Sequence, residues 1–277
     1  MKNLTFICVN YHNIKLTIQL CDSLKAQKDT YSEFHINCII VDNSSNDKQS
    51  IELIDYCTRN TSTSHKYKYS DPGKNLGYFG GLNFAIKGLD ISDLDYLIIG
   101  NNDLQFDNSF CINLINNVYE PNVFVVCPDI VSRDGGHQNP HVLKQRDLIK
   151  INLLKLYFSN YYIARFMALL LKLFRPKKYL PLHDASEIFM GIGACYILMP
   201  SYLPNFKFLN YDSFLYSEEA YFSNQIHSAG GILWFDPSLR VSHFDNATLS
   251  LLPKRATYEY EKTSFWKSAW TLIDESK

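Results

Sequence analysis

Long apolar runs are missing from this chain of 277 residues. No window approaches the roughly 20 consecutive apolar residues that a membrane-spanning helix requires. The apolar run that follows Lys2 is also far too short for a secretory signal peptide. The sequence therefore predicts a protein that is made and kept in the cytoplasm.

A surplus of charge of one sign is missing as well. Lys and Arg total 27 and Asp and Glu total 28, so net charge gives no support to nucleic-acid binding. The seven cysteines include no Cys-x-x-Cys pair and no His/Cys spacing typical of zinc, which predicts reduced thiols. Aromatic residues, in contrast, reach 14%. Such a content suits a core, a sugar-stacking surface or a membrane interface.

The first half of the chain alternates short apolar segments with segments of helical periodicity. Strands are predicted at Leu4–Asn10, Ile36–Asn43, Lys66–Ser70, Tyr96–Ile99 and Val123–Cys127. Helices are predicted at Ile14–Ala26, after Ser44, within Gly77–Leu89 and at Asn108–Val118. This alternation is typical of an α/β fold whose sheet is largely parallel, with right-handed crossovers.

The second half contains a basic and apolar segment over residues 148–178. Between positions 147 and 184 the chain has no acid. Its cations are Lys150, Lys155, Arg165, Lys172, Arg175, Lys177 and Lys178. The residues that recur at helical spacing are Arg165, Ala168, Lys172 and Arg175, so most cations share one helix face. Two interpretations stay open: an internal helix pair with solvated cations, or an interfacial helix that rests on anionic lipid.

Polar or glycine-rich clusters follow four successive predicted strands. They are Asn10-Tyr11, Asp42-Asn43-Ser44-Ser45, the stretch Asp71–Asn83 and Asn101-Asn102-Asp103. Each cluster alone is compatible with a turn, because Asn, Asp and Gly favour turns for local reasons. Open α/β sheets bind ligands beyond the carboxyl ends of their strands. Four clusters in succession therefore favour one ligand crevice.

Seven motifs occur in a recognisable order. They are VNY, VDNSS, NLGYFGGLN, GNNDLQFD, GIGACYILMP, FLYSEEAYFSNQIHSAG and VSHFDNATLS. This set, over about residues 5–250, resembles the family-2 inverting glycosyltransferases of the GT-A fold, especially their rhamnosyltransferase-like branch. The resemblance implies a single mostly parallel central sheet flanked by helices. The residue pattern adds an amphipathic helical insertion at 148–178 and a C-terminal amphipathic helix at Arg255–Ile273. The resemblance also implies a nucleotide-sugar-binding half (1–130), an acceptor-binding and catalytic-base half (131–250) and a helical tail (251–277).

The resemblance further implies which residues contact the donor, a nucleoside-diphosphate sugar. Asp42 would accept an N–H group of the nucleotide base, and the glycines after Asn75 would let the backbone approach the ligand closely. The implied donor-binding set is Asn10, Tyr11, Asp42, Asn75, Gly77, Gly80, Gly81, Asn83, Asn101 and Asn102. An Asx-turn at Asp42 and a plain loop-to-helix turn at Gly77 are the local alternatives.

Asp103 and His243 are the implied ligands of a divalent cation, Mg²⁺ or Mn²⁺. The departing diphosphate gains negative charge, which a hard cation with oxygen ligands stabilises. The family commonly has an Asp-x-Asp motif, whereas Asn101-Asn102-Asp103 keeps only the last acid. A turn or helix cap at Asp103 and a satisfied polar role for His243 are the alternatives.

Glu219 is the implied catalytic base. Inverting transfer needs one carboxylate to take the proton of the acceptor hydroxyl group. Glu218 is implied to support Glu219 or to bind the acceptor, together with Gly191 and Gly193. Adjacent carboxylates raise one another's pKa, which suits a base that works near neutral pH. The alternative is a pair of acids that only stabilises a helix N-terminus.

The predicted function is transfer of rhamnose or a similar hexose to a hydroxyl group of a glycan, with dTDP-rhamnose first among donors and UDP-sugars next. The resemblance implies a lipid-linked acceptor in bacterial surface polysaccharide synthesis. The interfacial interpretation of residues 148–178 adds peripheral contact with the inner face of the plasma membrane. Two other functions are considered. A sugar nucleotidyltransferase is disfavoured because NYHN stands where a basic, glycine-rich loop would follow the first strand. A catalytically inactive nucleotide-sugar-binding or membrane scaffold module is the other.

Overall fold

Strands and helices alternate along the first half of the molecule. The computed structural model describes residues 1–27, 33–44, 48–90, 94–145, 148–173, 183–206, 208–211, 218–244 and 254–268. The strands are β1 (Lys2–Asn10), β2 (Phe34–Asp42), β3 (His65–Ser70), β4 (Tyr96–Asn101), β5 (Leu104–Phe106), β6 (Val123–Ser132), β7 (Ser186–Ile188), β8 (Cys195–Leu198) and β9 (Ile232–His243). The helices are α1 (Ile14–Lys25), α2 (Lys48–Asn60), α3 (Tyr78–Ile86), α4 (Phe110–Asn116), α5 (Leu148–Tyr157), α6 (Tyr161–Leu173), α7 (Glu218–Ser228) and α8 (Lys254–Ser268).

All described strands belong to one mixed sheet with the order β3-β2-β1-β4-β8-β6-β9-β5, and β7 pairs with β9. Strands β1 to β4, β6 and β9 run in one direction, and β5, β7 and β8 run in the other. The predicted α/β fold with a mostly parallel central sheet is confirmed. Because β2 and β4 lie on opposite sides of β1, the strand order switches at β1 and β4. Open α/β sheets bind ligands in the crevice beyond the carboxyl ends of such strands, and this position is called the crevice below.

The core explains why the central strands are continuously apolar. In β1, Leu4, Phe6 and Cys8 pack on the side of α1, α2 and α4. Ile7 and Val9 pack on the opposite side, against α3 and α7. A strand covered by helices on both faces has no solvent face, so its sequence shows no alternation.

A third apolar cluster joins the helices of the second half. It contains Val142, Ile151, Met190, Ala220 and Phe265, which connect α5, α7 and α8. The amphipathic insertion is present as α5 and α6, and the C-terminal helix is present as α8. Residues 174–178 and 269–277, which the sequence places in these elements, lie outside the described residues. No helix in the described part of the chain combines the length and apolar character needed to cross a bilayer.

One strand differs from the sequence-based expectation. Strand β5 was not predicted; it pairs antiparallel with β9, with Leu104 opposite His243. In addition, β6 runs through the predicted boundary at residue 130, and β7, β8 and β9 complete the same sheet as the first strands. The division into two halves and a tail remains a prediction.

Candidate active site

Side chains tie the ends of three parallel strands together at the crevice. Asn10, at the end of β1, lies beside Asp42 at the end of β2 and donates its Nδ2 to Oδ1 at 2.9 Å. Its own Oδ1 accepts hydrogen bonds from Thr17 Oγ1 at 2.9 Å and from Asn102 Nδ2 at 3.2 Å. Asn10 and Asn102 are therefore directed into the framework, where they fix the shape of the crevice.

The Asp42 carboxylate is almost fully enclosed by hydrogen-bond donors. Oδ1 accepts from Asn10 and from the Ser44 N–H, and Oδ2 accepts from Ser50 Oγ and Tyr69 OH. Burial alone raises a carboxyl pKa, but the hydrogen bonds from Ser44, Asn10 and Ser50 outweigh it, so the pKa of Asp42 is lowered. Four donors fill the usual capacity of a carboxylate. A nucleotide base would have to displace one of them, and base contact by Asp42 stays a prediction.

Asn43 is a site residue that the sequence did not single out. Its Nδ2 donates to the Gly77 carbonyl oxygen at 2.9 Å, and its Oδ1 accepts the Leu76 N–H at 3.4 Å. The side chain is buried. Asn43 therefore fastens the loop before α3 to the end of β2.

Each glycine in and after this loop is required for a different physical reason. Gly77 has a φ of 74°, a left-handed conformation that side chains disfavour. A Cβ on Gly81 would lie 3.0 Å from Val9, and one on Gly80 would lie 3.1 Å from Leu76. Gly81 thus allows α3 to pack closely on β1. Donor contact by these glycines remains a prediction.

The remaining residues predicted to bind the donor differ in accessibility. Tyr11 is 39% exposed at the end of β1, and Asn75 is exposed, with its Oδ1 accepting the Gly77 N–H at 2.9 Å. Asn83 instead donates to the Leu209 carbonyl at 2.9 Å and accepts the Leu209 N–H at 2.8 Å. Tyr11 and Asn75 are available to a ligand, whereas Asn83 would first have to release Leu209.

The two predicted metal ligands lie next to each other. Because β5 pairs with β9, Asp103 Oδ1 lies 3.1 Å from His243 Nε2, and both residues are only 8% exposed. Oδ1 is enclosed and accepts no well-aligned hydrogen bond from any described residue. Asn101 Nδ2 lies 3.3 Å from the same Nε2. A buried carboxylate oxygen without a donor is a position that a cation would satisfy.

The surroundings of His243 fit a metal ligand. Its Nδ1 lies 2.8 Å from Gln138 Oε1, which only accepts hydrogen bonds, so Nδ1 carries the proton and Nε2 presents its lone pair on the side of Asp103 and Asn101. Neighbouring ligands at about 2.1 Å from an octahedral Mg²⁺ lie about 3.0 Å apart, close to the Asp103–His243 spacing. No group of three or more candidate ligands exists among the described residues. Diphosphate and water would complete the coordination, which is how proteins commonly hold Mg²⁺.

The acidic pair opens α7 as predicted. Glu219 Oε1 accepts the Gly193 N–H at 3.2 Å, and a Cβ on Gly193 would lie only 3.0 Å from that oxygen. The Gly193 carbonyl accepts a 2.8 Å hydrogen bond from Tyr78 OH. Gly193 therefore holds the Glu219 carboxylate, and Tyr78, at the start of α3, holds Gly193.

Glu218 and Gly191 have more enclosed surroundings. Oε2 of Glu218 is buried and finds no hydrogen-bond partner in the described part of the chain. Burial, reinforced by the negative charge of Glu219, raises the pKa of Glu218 to about 8. A Cβ on Gly191 would lie 2.5 Å from the Cys127 sulfur, and Tyr196 OH donates to the Gly191 carbonyl at 2.8 Å. Gly191 serves close packing, and acceptor contact there stays a prediction.

A short chain of contacts connects the acidic pair with the metal candidates. Gly193 binds Glu219, and the carbonyl of the next residue, Ala194, accepts the Asn101 N–H at 2.9 Å. The Asn101 side chain in turn contacts His243. Both candidate groups therefore lie at the same edge of the sheet, as the sequence predicts for one crevice.

Tyr78 lies within the electrostatic influence of both groups. Burial raises its pKa well above the ordinary value, and the charges of Cys195, Glu218, Glu219 and Asp103 add to this effect. Its hydroxyl group, bonded to the Gly193 carbonyl, lies one residue contact away from Glu219. The sequence contains Tyr78 in the NLGYFGGLN motif but gives no sign of its partners.

Solved structures show the same fold at low sequence identity. The chain aligns with S. aureus TarS residues 1–349 in complex with UDP-GlcNAc at a TM-score of 0.57 and 14% identity, over 91% of this chain and 62% of that one. It aligns with GalNAc-T7 with UDP, GalNAc and Mn²⁺ at a TM-score of 0.58 and 13% identity, over 88% of this chain and 44% of that one. The mannosyltransferase PcManGT from Pyrobaculum calidifontis, in complex with GDP-Man and Mn²⁺, gives 0.57 and 11%, over 97% and 68%.

The chain spans only part of some of these proteins, namely 37% of the longer TarS structure and 44% of GalNAc-T7. No curated protein matches it significantly in sequence. Residues 5–178, more than half of the chain, match the sequence family described as Glycosyl transferase family 2. That match covers most of β1, all of β2 to β6 and the crevice residues from Asn10 to Asp103. The chain belongs to glycosyl transferase family 2.

Proposed function

We propose that the protein transfers a hexose from a nucleoside-diphosphate sugar to a hydroxyl group, with inversion at the anomeric carbon. The observation that carries the proposal is the meeting of two groups at one crevice. Asp103 and His243 lie 3.1 Å apart, and Glu219 is connected to them through Gly193 and Asn101. One group suits the departing diphosphate and the other suits the attacking hydroxyl.

Asp103 and His243 are proposed to hold Mg²⁺ or Mn²⁺. When bound, the cation supplies positive charge to the diphosphate as it leaves. The buried Oδ1 of Asp103 without a donor supports this role. The structures of GalNAc-T7 and PcManGT contain Mn²⁺ with UDP and GDP-Man respectively, which adds support from the same fold.

Glu219 is proposed as the general base. Its carboxylate takes the proton of the acceptor hydroxyl while the hydroxyl oxygen bonds to the anomeric carbon. The bond from that carbon to the diphosphate oxygen breaks, and its electron pair leaves with the diphosphate. A single displacement of this kind inverts the anomeric centre. The Gly193 N–H orients the Glu219 carboxylate, and Tyr78 orients Gly193.

The donor and acceptor are proposed from the family resemblance. dTDP-rhamnose is the first candidate donor, and UDP-sugars follow, with support from the UDP-GlcNAc and UDP structures of similar fold. The proposed acceptor is a lipid-linked bacterial surface glycan at the inner face of the plasma membrane. Tyr11 and Asn75, which are exposed beside the crevice, are the side chains that remain accessible to the nucleotide.

Incubation of the purified protein with Mn²⁺ and a panel of nucleotide sugars tests this function. A transferase slowly hydrolyses its donor to a free nucleoside diphosphate when no acceptor is present. Release of pyrophosphate from a nucleoside triphosphate and a sugar phosphate would instead identify a nucleotidyltransferase. Donor binding without any turnover, with acceptor glycans supplied, would identify a non-catalytic module.

Glu219→Gln should lower kcat at least about a hundredfold, because an amide cannot take the hydroxyl proton. The dissociation constant for the donor should stay nearly unchanged, since Glu219 acts on the acceptor. Initial rates and donor titrations measure the two quantities separately. Glu259→Gln, an exposed change on α8, is the matched control and should leave both unchanged. A fully active Glu219→Gln enzyme would show that the base lies elsewhere.

A further inference from the structure

Apolar side chains are unusually exposed on α5 and α6. Among the described residues, 17 large apolar side chains are exposed, and eight of them lie between positions 149 and 170. They are Ile149, Leu153 and Leu156 on α5, and Tyr162, Ile163, Phe166, Leu169 and Leu170 on α6. Scattered exposed apolar residues are normal, but a concentration of this kind marks an interaction surface.

The exposed residues form one stripe on each helix. On α5 they recur at intervals of four and three, and on α6 the same intervals separate Tyr162, Phe166 and Leu169. The opposite sides of both helices are buried, at Ile151 and at Ala164. Each helix therefore has an inner side that packs on the protein and an apolar outer side that is exposed, with Leu169 bordering a groove between α6 and α8.

Charge indicates which partner fits this surface. Residues 148–183 contain seven cations and no acid, and removing them from the totals leaves 20 cations against 28 acids in the rest of the chain. In the described part of the segment, Lys150 and Arg165 are exposed beside the apolar stripes. A second copy of the chain would set this cationic surface against itself, because symmetric dimers pair identical surfaces. An anionic partner meets no such repulsion.

We propose that the outer sides of α5 and α6 form a docking surface for an anionic lipid bilayer. With 13 residues, α6 is about 20 Å long, shorter than the roughly 30 Å hydrocarbon core, so the helix lies in the interface. Exposed Phe, Tyr, Leu and Ile side chains enter the boundary between headgroups and acyl chains, and the cations contact lipid phosphates.

Docking through this surface brings the bilayer close to the crevice. The cluster that seats α5 also contains Met190 and Ala220, the sequence neighbours of Gly191 and Glu219. A lipid-linked acceptor could then present its sugar to Glu219 while its lipid stays in the membrane. This consequence rests on the proposed function, whereas bilayer binding itself does not.

Vesicle flotation tests the surface directly. The wild-type protein should float with vesicles of phosphatidylcholine mixed with phosphatidylglycerol, and it should stay unbound with phosphatidylcholine alone. Combined Lys150→Glu and Arg165→Glu substitutions should weaken binding to the anionic vesicles at least about tenfold. Lys68→Glu with Lys87→Glu, an equal charge change at exposed sites elsewhere, should leave binding nearly unchanged.

A second pair of variants tests the apolar contribution. Phe166→Ser with Leu169→Ser should also lower vesicle binding about tenfold, because both side chains are more than half exposed and would insert. The matched control is Ile51→Ser with Ile54→Ser, two exposed residues on α2, which should bind like wild type. Thermal shift by nucleoside diphosphates should be the same in all variants, which separates this result from failure of the crevice.

The proposal would be overturned if the wild-type protein did not bind anionic vesicles. It would also be overturned if the control variants lost as much binding as the variants on α5 and α6. It would also be overturned by wild-type self-association in sedimentation that Phe166→Ser with Leu169→Ser abolishes, since the occupant would then be a second copy.

Discussion

Tyr78 and Gly193 connect the two sides of the crevice through a pair of hydrogen bonds. The Tyr78 hydroxyl holds the Gly193 carbonyl at 2.8 Å, and the Gly193 N–H holds Glu219 at 3.2 Å. Tyr78 also follows Gly77 directly, in the loop predicted to bind the donor. It is therefore positioned to make the orientation of the proposed base depend on the same loop.

Tyr78→Phe should lower kcat about tenfold with little change in the KM for the donor, because the Gly193 carbonyl loses its anchor while the donor contacts remain. Initial-rate kinetics over a range of donor concentrations measure both constants. Tyr67→Phe is the matched control, since the Tyr67 hydroxyl also donates to a backbone carbonyl, that of Cys21. Equal effects of the two substitutions on kcat would mean that only general stability is being measured.

Glu218 makes the stability of the folded protein fall as the pH rises from acidic values to about 8. Its pKa is about 8 in the folded state against an ordinary 4.5, because burial and Glu219 disfavour its charged form. Between these values the folded state keeps a proton that the unfolded state releases, so stability falls as pH rises from 4.5 to 8. A glutamine at this position has no proton to lose.

Glu218→Gln should therefore gain stability relative to wild type as pH rises, by on the order of 2 kcal/mol between acidic and alkaline conditions. Denaturant unfolding of both proteins at a series of pH values measures the difference. Glu120→Gln, which removes an exposed carboxyl group on the surface, provides the matched comparison. Parallel stability curves for Glu218→Gln and wild type would contradict the prediction.

At the level of single residues, the sequence indicated Asp103 and Glu219 but not Tyr78, Asn43 or Gln138. Carboxylates at strand ends and helix starts belong to recognisable local motifs. Tyr78 acquires its role from a carbonyl group 115 positions away, and Gln138 from His243, 105 positions away. Neither partner leaves a trace in the local sequence.

Among the secondary-structure elements, β5 and β9 decide where the proposed metal site forms. The three residues of β5 pair antiparallel with the end of β9, which sets His243 opposite Leu104 and next to Asp103. The parallel strands β1 to β4 could be predicted because alternating apolar and helical segments are a local pattern. A three-residue strand is too short for such a pattern, and its partner lies far along the chain.

Asn43→Ala tests the connection between β2 and the loop before α3. Loss of the buried bonds to Gly77 and Leu76 should cost about 1 kcal/mol and lower the Tm by roughly 2–4 °C. Donor affinity should fall about tenfold, because the loop is then no longer held at the crevice. The control is Asn205→Ala, because the Asn205 amide also donates to a backbone carbonyl but in a distant turn. This substitution should lower the Tm without weakening donor binding. Unchanged donor affinity in Asn43→Ala would show that the position of this loop does not affect donor binding.

For the whole molecule, cation and nucleotide should stabilise the fold together. Ligands that bind only the folded state raise its stability, by about 2.7 kcal/mol at a hundred times Kd, which corresponds to roughly 5–10 °C in Tm. UDP with Mn²⁺ should give such a shift in thermal melting, and excess chelator should remove most of it. In Asp103→Asn the Mn²⁺-dependent part should disappear. Asp107→Asn, an exposed change just after β5, serves as the control. An undiminished Mn²⁺-dependent Tm shift in Asp103→Asn would show that Asp103 does not bind the cation.

The seven buried cysteines are natural probes of local opening in the folded protein. Burial raises the pKa of Cys127 and Cys195, so neither sulfur reacts readily until its surroundings separate. The rate at which a thiol reagent labels each sulfur under native conditions then reports how often that region opens. Cys8 and Cys38 report on the contact between the sheet and α1, while Cys195 reports on the strand beside Gly193. Chemical labelling followed by mass spectrometry could thus measure the rate of local opening on each side of the crevice separately, without any added probe.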